Sequence, residues 1–179
     1  KQQWMISGSI LIGYWLLLSV LTIGEYGGNY TATHSLNVWV DQHFLPGATY
    51  RNLPMDPEGL LSNIPSIINA MAGVFIGRHM KALVQDASKL LIHLIVIGIA
   101  LLLIGYGWSI VFPLNKSLWT SSFVLVTCGY STLLLAFFYW AIDVKGYKKK
   151  WLKIFSVVGT NSIFIYLFAE TVGVQWFRG

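Results

Sequence analysis

A chain of 179 residues that is 55% hydrophobic, 15% aromatic and only 11% charged has too little charge to wet the surface of a soluble domain. The net charge of +5 does not indicate nucleic acid, because the cations gather at the ends of apolar stretches instead of forming a binding face. Cys128 is the only cysteine, which excludes an intrachain disulfide, and between Thr127 and Gly129 it reads as a small packing residue.

The chain opens on Lys1 with no initiator Met and no signal-peptide pattern, so it is expected to be a segment of a longer protein or to have lost its start. Stretches of about 20 apolar residues then mark membrane spans. They predict an all-α, polytopic transmembrane helical bundle forming one helical membrane domain over 1–179, with five spans at 4–23, 60–77, 90–112, 118–142 and 154–177. The connection 24–59 contains Leu36, Trp39, Val40, His43 and Phe44 at helical spacing. It is expected to hold a short amphipathic helix over 35–45 with Ser35 as N-cap.

Charge sets the expected orientation. Loop 78–89 carries Arg78, Lys81 and Lys89, and loop 143–153 carries five lysines, so both are expected in the cytoplasm. Loop 24–59 carries Glu25, Asp41, Asp56 and Glu58 against Arg51 alone and is expected outside, with the turn 113–117. The expected location is a bacterial inner membrane with loop 24–59 periplasmic. The two basic loops are expected to attract anionic lipid headgroups.

In the second span Asn63, Ser66, Ala70, Gly73 and Gly77 form a stripe. The GxxxG at Gly73 and Gly77 predicts close helix packing, while Asn63 and Asn69 suit either a helix contact or a cavity. Asp56-Pro57-Glu58-Gly59 precedes that span. Asp56 reads as an N-cap with Pro57 at the first helical position, or else Asp56 and Glu58 form an acidic rim. Asn115 or Ser117 suits a cap for the fourth span, and Lys116 is the single cation of that outer turn. In the fifth span Gly159, Ser162, Tyr166, Glu170 and Gly173 fall on one helical face, which places Glu170 against a partner or a cavity. His34, His43, His79 and His93 lie in four separate places without metal-ligand spacing, so no metal is expected.

Taken in order, these blocks resemble the C-terminal half of the heparan-alpha-glucosaminide N-acetyltransferase family, whose bacterial members are often labelled N-acetylglucosamine-related membrane proteins or transporters. The matching residues are Asn37, Asp41, Leu45-Pro46 and Tyr50; Asp56-Pro57-Glu58-Gly59-Leu60-Leu61-Ser62 with Pro65; Gly73 and Gly77; Phe112-Pro113; Asn115-Lys116 with Leu118-Trp119-Thr120-Ser121-Ser122; Asp143-Val144-Lys145-Gly146; and Gly159-Thr160-Asn161-Ser162 with Tyr166 and Glu170. The resemblance implies a polytopic enzyme about twice this length that moves acetyl from acetyl-CoA, its co-substrate, to the amine of a glucosamine-type sugar across the membrane. It also implies a catalytic histidine upstream, a role that no histidine here takes, so this segment alone is expected to be inactive. Its sites are then Glu170 as base or orienting carboxylate, with Asp56, Glu58, Asn115, Lys116, Trp119, Ser121, Asn161 and Tyr166 around the substrate. Expected partners are the upstream half of the chain, an amino sugar, membrane lipids and a further copy of the chain, but no nucleic acid. An amino-sugar permease and a non-catalytic helical scaffold are the alternatives.

Overall fold

A computed structural model describes residues 2–47, 53–147 and 151–173. Helices dominate: α1 (Gln2–Val20), α2 (Leu36–Phe44), α3 (Asn63–Ala82), α4 (Ala87–Trp108), α5 (Ser121–Tyr139), α6 (Trp151–Thr160) and α7 (Ser162–Phe168), with π-helical turns at Trp140–Val144 and Ala169–Gly173. The strands β1 (Thr22–Ile23) and β2 (Tyr26–Gly27) make a two-residue antiparallel hairpin in register Thr22–Gly27 and Ile23–Tyr26. The chain divides into two compact units, Lys1–Tyr139 and Trp140–Gly179.

Among the described residues, three helices are long and apolar enough to cross a membrane: Gln2–Val20, Ala87–Trp108 and Ser121–Val144. At 1.5 Å per residue, the 22 residues of α4 reach about 33 Å, the thickness of a hydrocarbon core. The predicted second span becomes α3, displaced toward its C-terminus so that Arg78, His79 and Lys81 fall inside the helix and lower its apolar character. The described part of the predicted fifth span is divided among α6, α7 and a π-turn, although the backbone ladder runs through Asn161, from Asn161 N to Val157 O (3.1 Å) and Ile165 N to Asn161 O (2.9 Å). The count of five spans thus stands as an expectation.

Within the first unit, α4 and α5 make the most extensive helix pair. Small residues allow it. A Cβ on Gly98 would lie 2.7 Å from Leu133, and one on Gly129 would lie 2.9 Å from Leu102 and 3.0 Å from the Gly98 carbonyl. Among the described residues, no close helix packs on Gly73 and Gly77, where the GxxxG pattern predicts one. Both positions face open space and line a groove of about 260 Å³ between α3 and α5, with Asn69, Thr127, Cys128 and Thr132. Cys128 packs with Leu11, Ile68 and Val124, and its thiol donates to Asn69 Oδ1 at 3.4 Å.

The connection after α1 folds back over one end of the unit. Leu36 joins Tyr14, Leu18 and Phe112 in one apolar cluster, and Val38 joins Met55 and Leu118 in another. The turn between α4 and α5 meets this same end: Asn115 Nδ2 donates to the Tyr30 carbonyl (3.2 Å) and Ser121 Oγ donates to the Leu11 carbonyl (2.7 Å).

Candidate functional site

The buried face of α2 is not the one its apolar periodicity predicts. Leu36, Asn37, Val38 and Asp41 are buried, whereas His43 and Phe44 are exposed. Polar residues outcompete apolar ones here because partners wait for them. Tyr14 Oη donates to the Leu118 carbonyl at 2.5 Å and accepts from Asn37 Nδ2 at 3.2 Å. The single tyrosine proton is thereby committed, which fixes the Asn37 amide with its nitrogen toward Tyr14. Asn37 Oδ1 and Ser35 Oγ are then buried without a hydrogen-bond partner among the described residues. Ser35 occupies the N-cap position of α2 but makes no side-chain cap bond.

Asp41, one turn after Asn37 on α2, organises the DPEG segment. Its carboxylate accepts from Asp56 N and from Leu60 N, each at 3.1 Å. Gly59 lies flat against it, and any Cβ there would collide with the carboxylate oxygens. Burial pushes the Asp41 carboxyl above its ordinary value, the two backbone donors oppose that shift, and the nearby Asp56 charge adds to it.

This arrangement corrects the helix-start reading of DPEG. Asp56 Oδ1 accepts from Glu58 N at 2.9 Å, so Asp56 closes a local turn around Pro57 instead of capping α3. The helix begins seven residues later at Asn63, after Ser62 Oγ has bonded the Gly59 carbonyl at 2.9 Å. The reason is the capture of the Asp56 and Leu60 N–H groups by Asp41, which holds the intervening backbone in turns. Glu58 is exposed beside this loop.

The NK-x-LW-x-S block forms a second built turn. Asn115 Oδ1 accepts from Ser117 N (2.9 Å) and Leu118 N (3.3 Å), while Asn115 N donates to Thr120 Oγ1 (3.1 Å). Asn115 therefore caps this turn, and α5 starts only at Ser121. The turn ends in the manner of a helix C-terminus, with Trp119 N on the Lys116 carbonyl and Thr120 N on the Asn115 carbonyl, both at 3.2 Å. The left-handed position is filled by Trp119 at φ +48, where glycine is usual, at a cost of about 1–2 kcal/mol. Its ring meets Phe123 edge to face at 5.6 Å and packs against the Leu11–Ile68–Val124 cluster.

Among the sequence-predicted site residues, the structure brings Asp56, Glu58, Asn115, Lys116, Trp119 and Ser121 to one end of the first unit. Ser121 is fully buried on the Leu11 carbonyl, whereas Glu58 and Lys116 are exposed. Asn161, Tyr166 and Glu170 belong to the second unit, where every side chain from Phe155 to Thr171 is exposed. Within that unit, no cavity encloses Glu170 among the described residues, although an open cleft is lined by Asn161 and Ser162. Tyr14, Asn37 and Asp41 are the buried polar residues of this end that residue-by-residue chemistry missed. The available signal was Asn37 and Asp41 at i and i+4, interleaved with Leu36, Val38, Trp39 and Val40 in a short helix. No group of three or more His, Cys, Asp or Glu side chains converges among the described residues.

A helical integral membrane protein with a buried polar network closing one end of its first unit is the class that fold and site define. No family model matches the chain. The chain is similar to human heparan-alpha-glucosaminide N-acetyltransferase, at 27% identity over 97% of this chain and 31% of the relative. The mouse protein of the same name is 31% identical over 65% of this chain and 18% of that relative. The chain therefore spans less than a third of the curated relatives it matches, and the resemblance read from its motifs is borne out on that span.

Proposed function

We propose that the chain is part of a membrane-embedded acyltransferase that moves acetyl from acetyl-CoA to the amine of a glucosamine-type sugar across the membrane. The observation that carries this reading is similarity to two N-acetyltransferases, one of them across 97% of the chain. The DPEG and NK-x-LW-x-S turns lend support, since both are held by dedicated side chains at one end of the unit.

The reaction requires a sugar ammonium to give a proton to a base. The free amine then attacks the thioester carbonyl carbon, the C–N bond forms, and the C–S bond breaks as CoA thiolate leaves and is protonated. Glu170 is the proposed base or orienting carboxylate. Exposed Glu58 and Lys116 are proposed to meet the sugar and a CoA phosphate, with Asp56 and Trp119 shaping their surroundings. Asn161 and Tyr166 are proposed to hold sugar hydroxyls or the oxyanion. Asn115 and Ser121 act by supporting their turns, because their side chains already bond the backbone.

The test uses the full-length protein in proteoliposomes with labelled acetyl-CoA and glucosamine acceptors, scoring acetylated sugar and sugar flux separately. Acetylated sugar is expected, and Glu170→Gln abolishes it while leaving a folded, monodisperse protein. Sugar flux without acetylation identifies the permease instead, a reading for which Asn69, Thr127 and Thr132, set in the mostly apolar groove between α3 and α5, are the specific support. Neither product nor flux would leave the scaffold.

A further inference from the structure

One polar cluster of the first unit lies apart from the residues proposed for acyl transfer. It lies where the start of α1, the end of α3 and the start of α4 meet. Arg78 Nη1 donates to Gln3 Oε1 at 2.7 Å, and Trp4 stacks on Phe75 at 4.0 Å and 25°. These four residues and His79 line an open cleft of about 340 Å³. His79 Nε2 is 3.0 Å from His93 Nδ1, with ring centroids 5.1 Å apart. His79 and His93, separate in sequence, are thus joined, because the short turn after α3 brings the start of α4 back to the end of α3.

The chemistry of the cleft is that of an anion site. Its lining contains no carboxylate, and the hydrogen-bond partner of the Arg78 guanidinium is a neutral amide. Lys81 and Lys89 follow within eleven residues of Arg78 in sequence, while Asp86, the acid of this turn, accepts from Lys89 N at 3.0 Å. The imidazole pair adds a directed donor. When His93 Nδ1–H donates to His79 Nε2, a neutral His79 carries its proton on Nδ1, a further N–H among the residues that line the cleft with Arg78. A guanidinium fork with one added donor suits the tetrahedral oxygens of a phosphate.

We propose that this cleft binds a phosphate group, carried by a lipid headgroup or by a free phosphate ester, through Arg78 and His79. His93 is a positioning residue that fixes the His79 tautomer. Trp4 on Phe75 forms an apolar wall, as an interfacial aromatic does beside a lipid headgroup.

Calorimetry on the full-length protein in neutral detergent tests this with short-chain phosphatidic acid, the diacylglycerol of the same chain length, and glycerol 3-phosphate. Saturable binding of a phosphate ligand is expected, with none for diacylglycerol. Arg78→Gln weakens it at least tenfold, Arg78→Lys less, and His79→Gln several-fold. His93→Gln weakens binding and also changes the nitrogen-15 tautomer signature of His79, which a loss of packing alone would not do. Tighter binding of phosphatidic acid assigns the site to a headgroup, and equal binding of glycerol 3-phosphate assigns it to a soluble phosphate. The proposal falls if no phosphate ligand saturates, if Arg78→Gln and His79→Gln bind like the parent, or if Lys81→Gln and Lys89→Gln weaken binding as much as Arg78→Gln. Unchanged helical circular dichroism and the intermediate Arg78→Lys value separate each result from misfolding.

Discussion

Asp41 shows how one side chain decides the form of a loop. Two backbone N–H donors favour its charged form, but burial outweighs them and lifts its pKa above the ordinary value. The folded state therefore keeps its proton at pH values where the unfolded chain has released it. Stability then falls as pH rises from the ordinary aspartate range, about pH 4, through the raised pKa, and levels off above it. In full-length protein, urea unfolding followed across that window is expected to show this decline, and Asp41→Asn is expected to remove it. The same variant replaces one acceptor oxygen with a donor facing Asp56 N or Leu60 N, so it should lose about 1–3 kcal/mol at neutral pH. A variant as stable as the parent at neutral pH would show that the DPEG turn holds itself. At Gly59 the expectation is sharper. Gly59→Ala drives a methyl into the Asp41 carboxylate and should lower the melting temperature, while Gly13→Ala, at a helical position where an added Cβ meets nothing within 4 Å, should not.

At the scale of elements, the glycines separate legible from illegible packing. The sequence shows GxxxG at Gly73 and Gly77, yet the close contact forms at Gly98 and Gly129, which belong to different helices and share no motif. Close approach depends on which faces meet, and that information is tertiary. Gly129→Ala should therefore destabilise the α4–α5 pair by about 1–3 kcal/mol, because Leu102 and the Gly98 carbonyl cannot both yield. Gly73→Ala meets nothing within 4 Å and should be neutral or stabilise by up to about 1 kcal/mol through helix propensity. Thermal unfolding of the two variants in one detergent compares them directly, and equal losses would mean that the α3 face is covered. The long apolar helices α1, α4 and α5 were legible because length and hydropathy alone determine them. The start of α3 was not, since Asp56-Pro57-Glu58 satisfies every local rule for a helix start while Asp41, fifteen residues earlier, takes the backbone donors. The family blocks were legible as a pattern of residues, but the supporting roles of Asn115 and Ser121 required the fold.

For the whole molecule, the decisive quantity is which end faces which side of the membrane. The structure places the acidic connection and the turn around Asn115 at one end of the first unit, through the Asn115–Tyr30 and Ser121–Leu11 bonds. The turn between α3 and α4 is flanked by Lys81 on α3 and Lys89 on α4, and the positive-inside trend predicts that it faces the cytoplasm. Lysines 148–150, which carry most of the second basic loop, lie outside the described residues. Probe positions follow from exposure. Asn37 is buried and would label poorly on either side, whereas Gln42 and Val84 are exposed, one on α2 and one in the α3–α4 turn. In a Cys128→Ala background, a cysteine at Gln42 should react with an impermeant thiol reagent on intact cells, and one at Val84 should react only after permeabilisation. The reverse pattern would turn the molecule over. It would move Asp41, Glu58 and Lys116 to the cytoplasm, where acetyl-CoA needs no route across the membrane, and it would place the proposed phosphate site on the opposite face. Because both probes report on the same unit, a labelling difference between them measures sidedness independently of how the second unit is arranged.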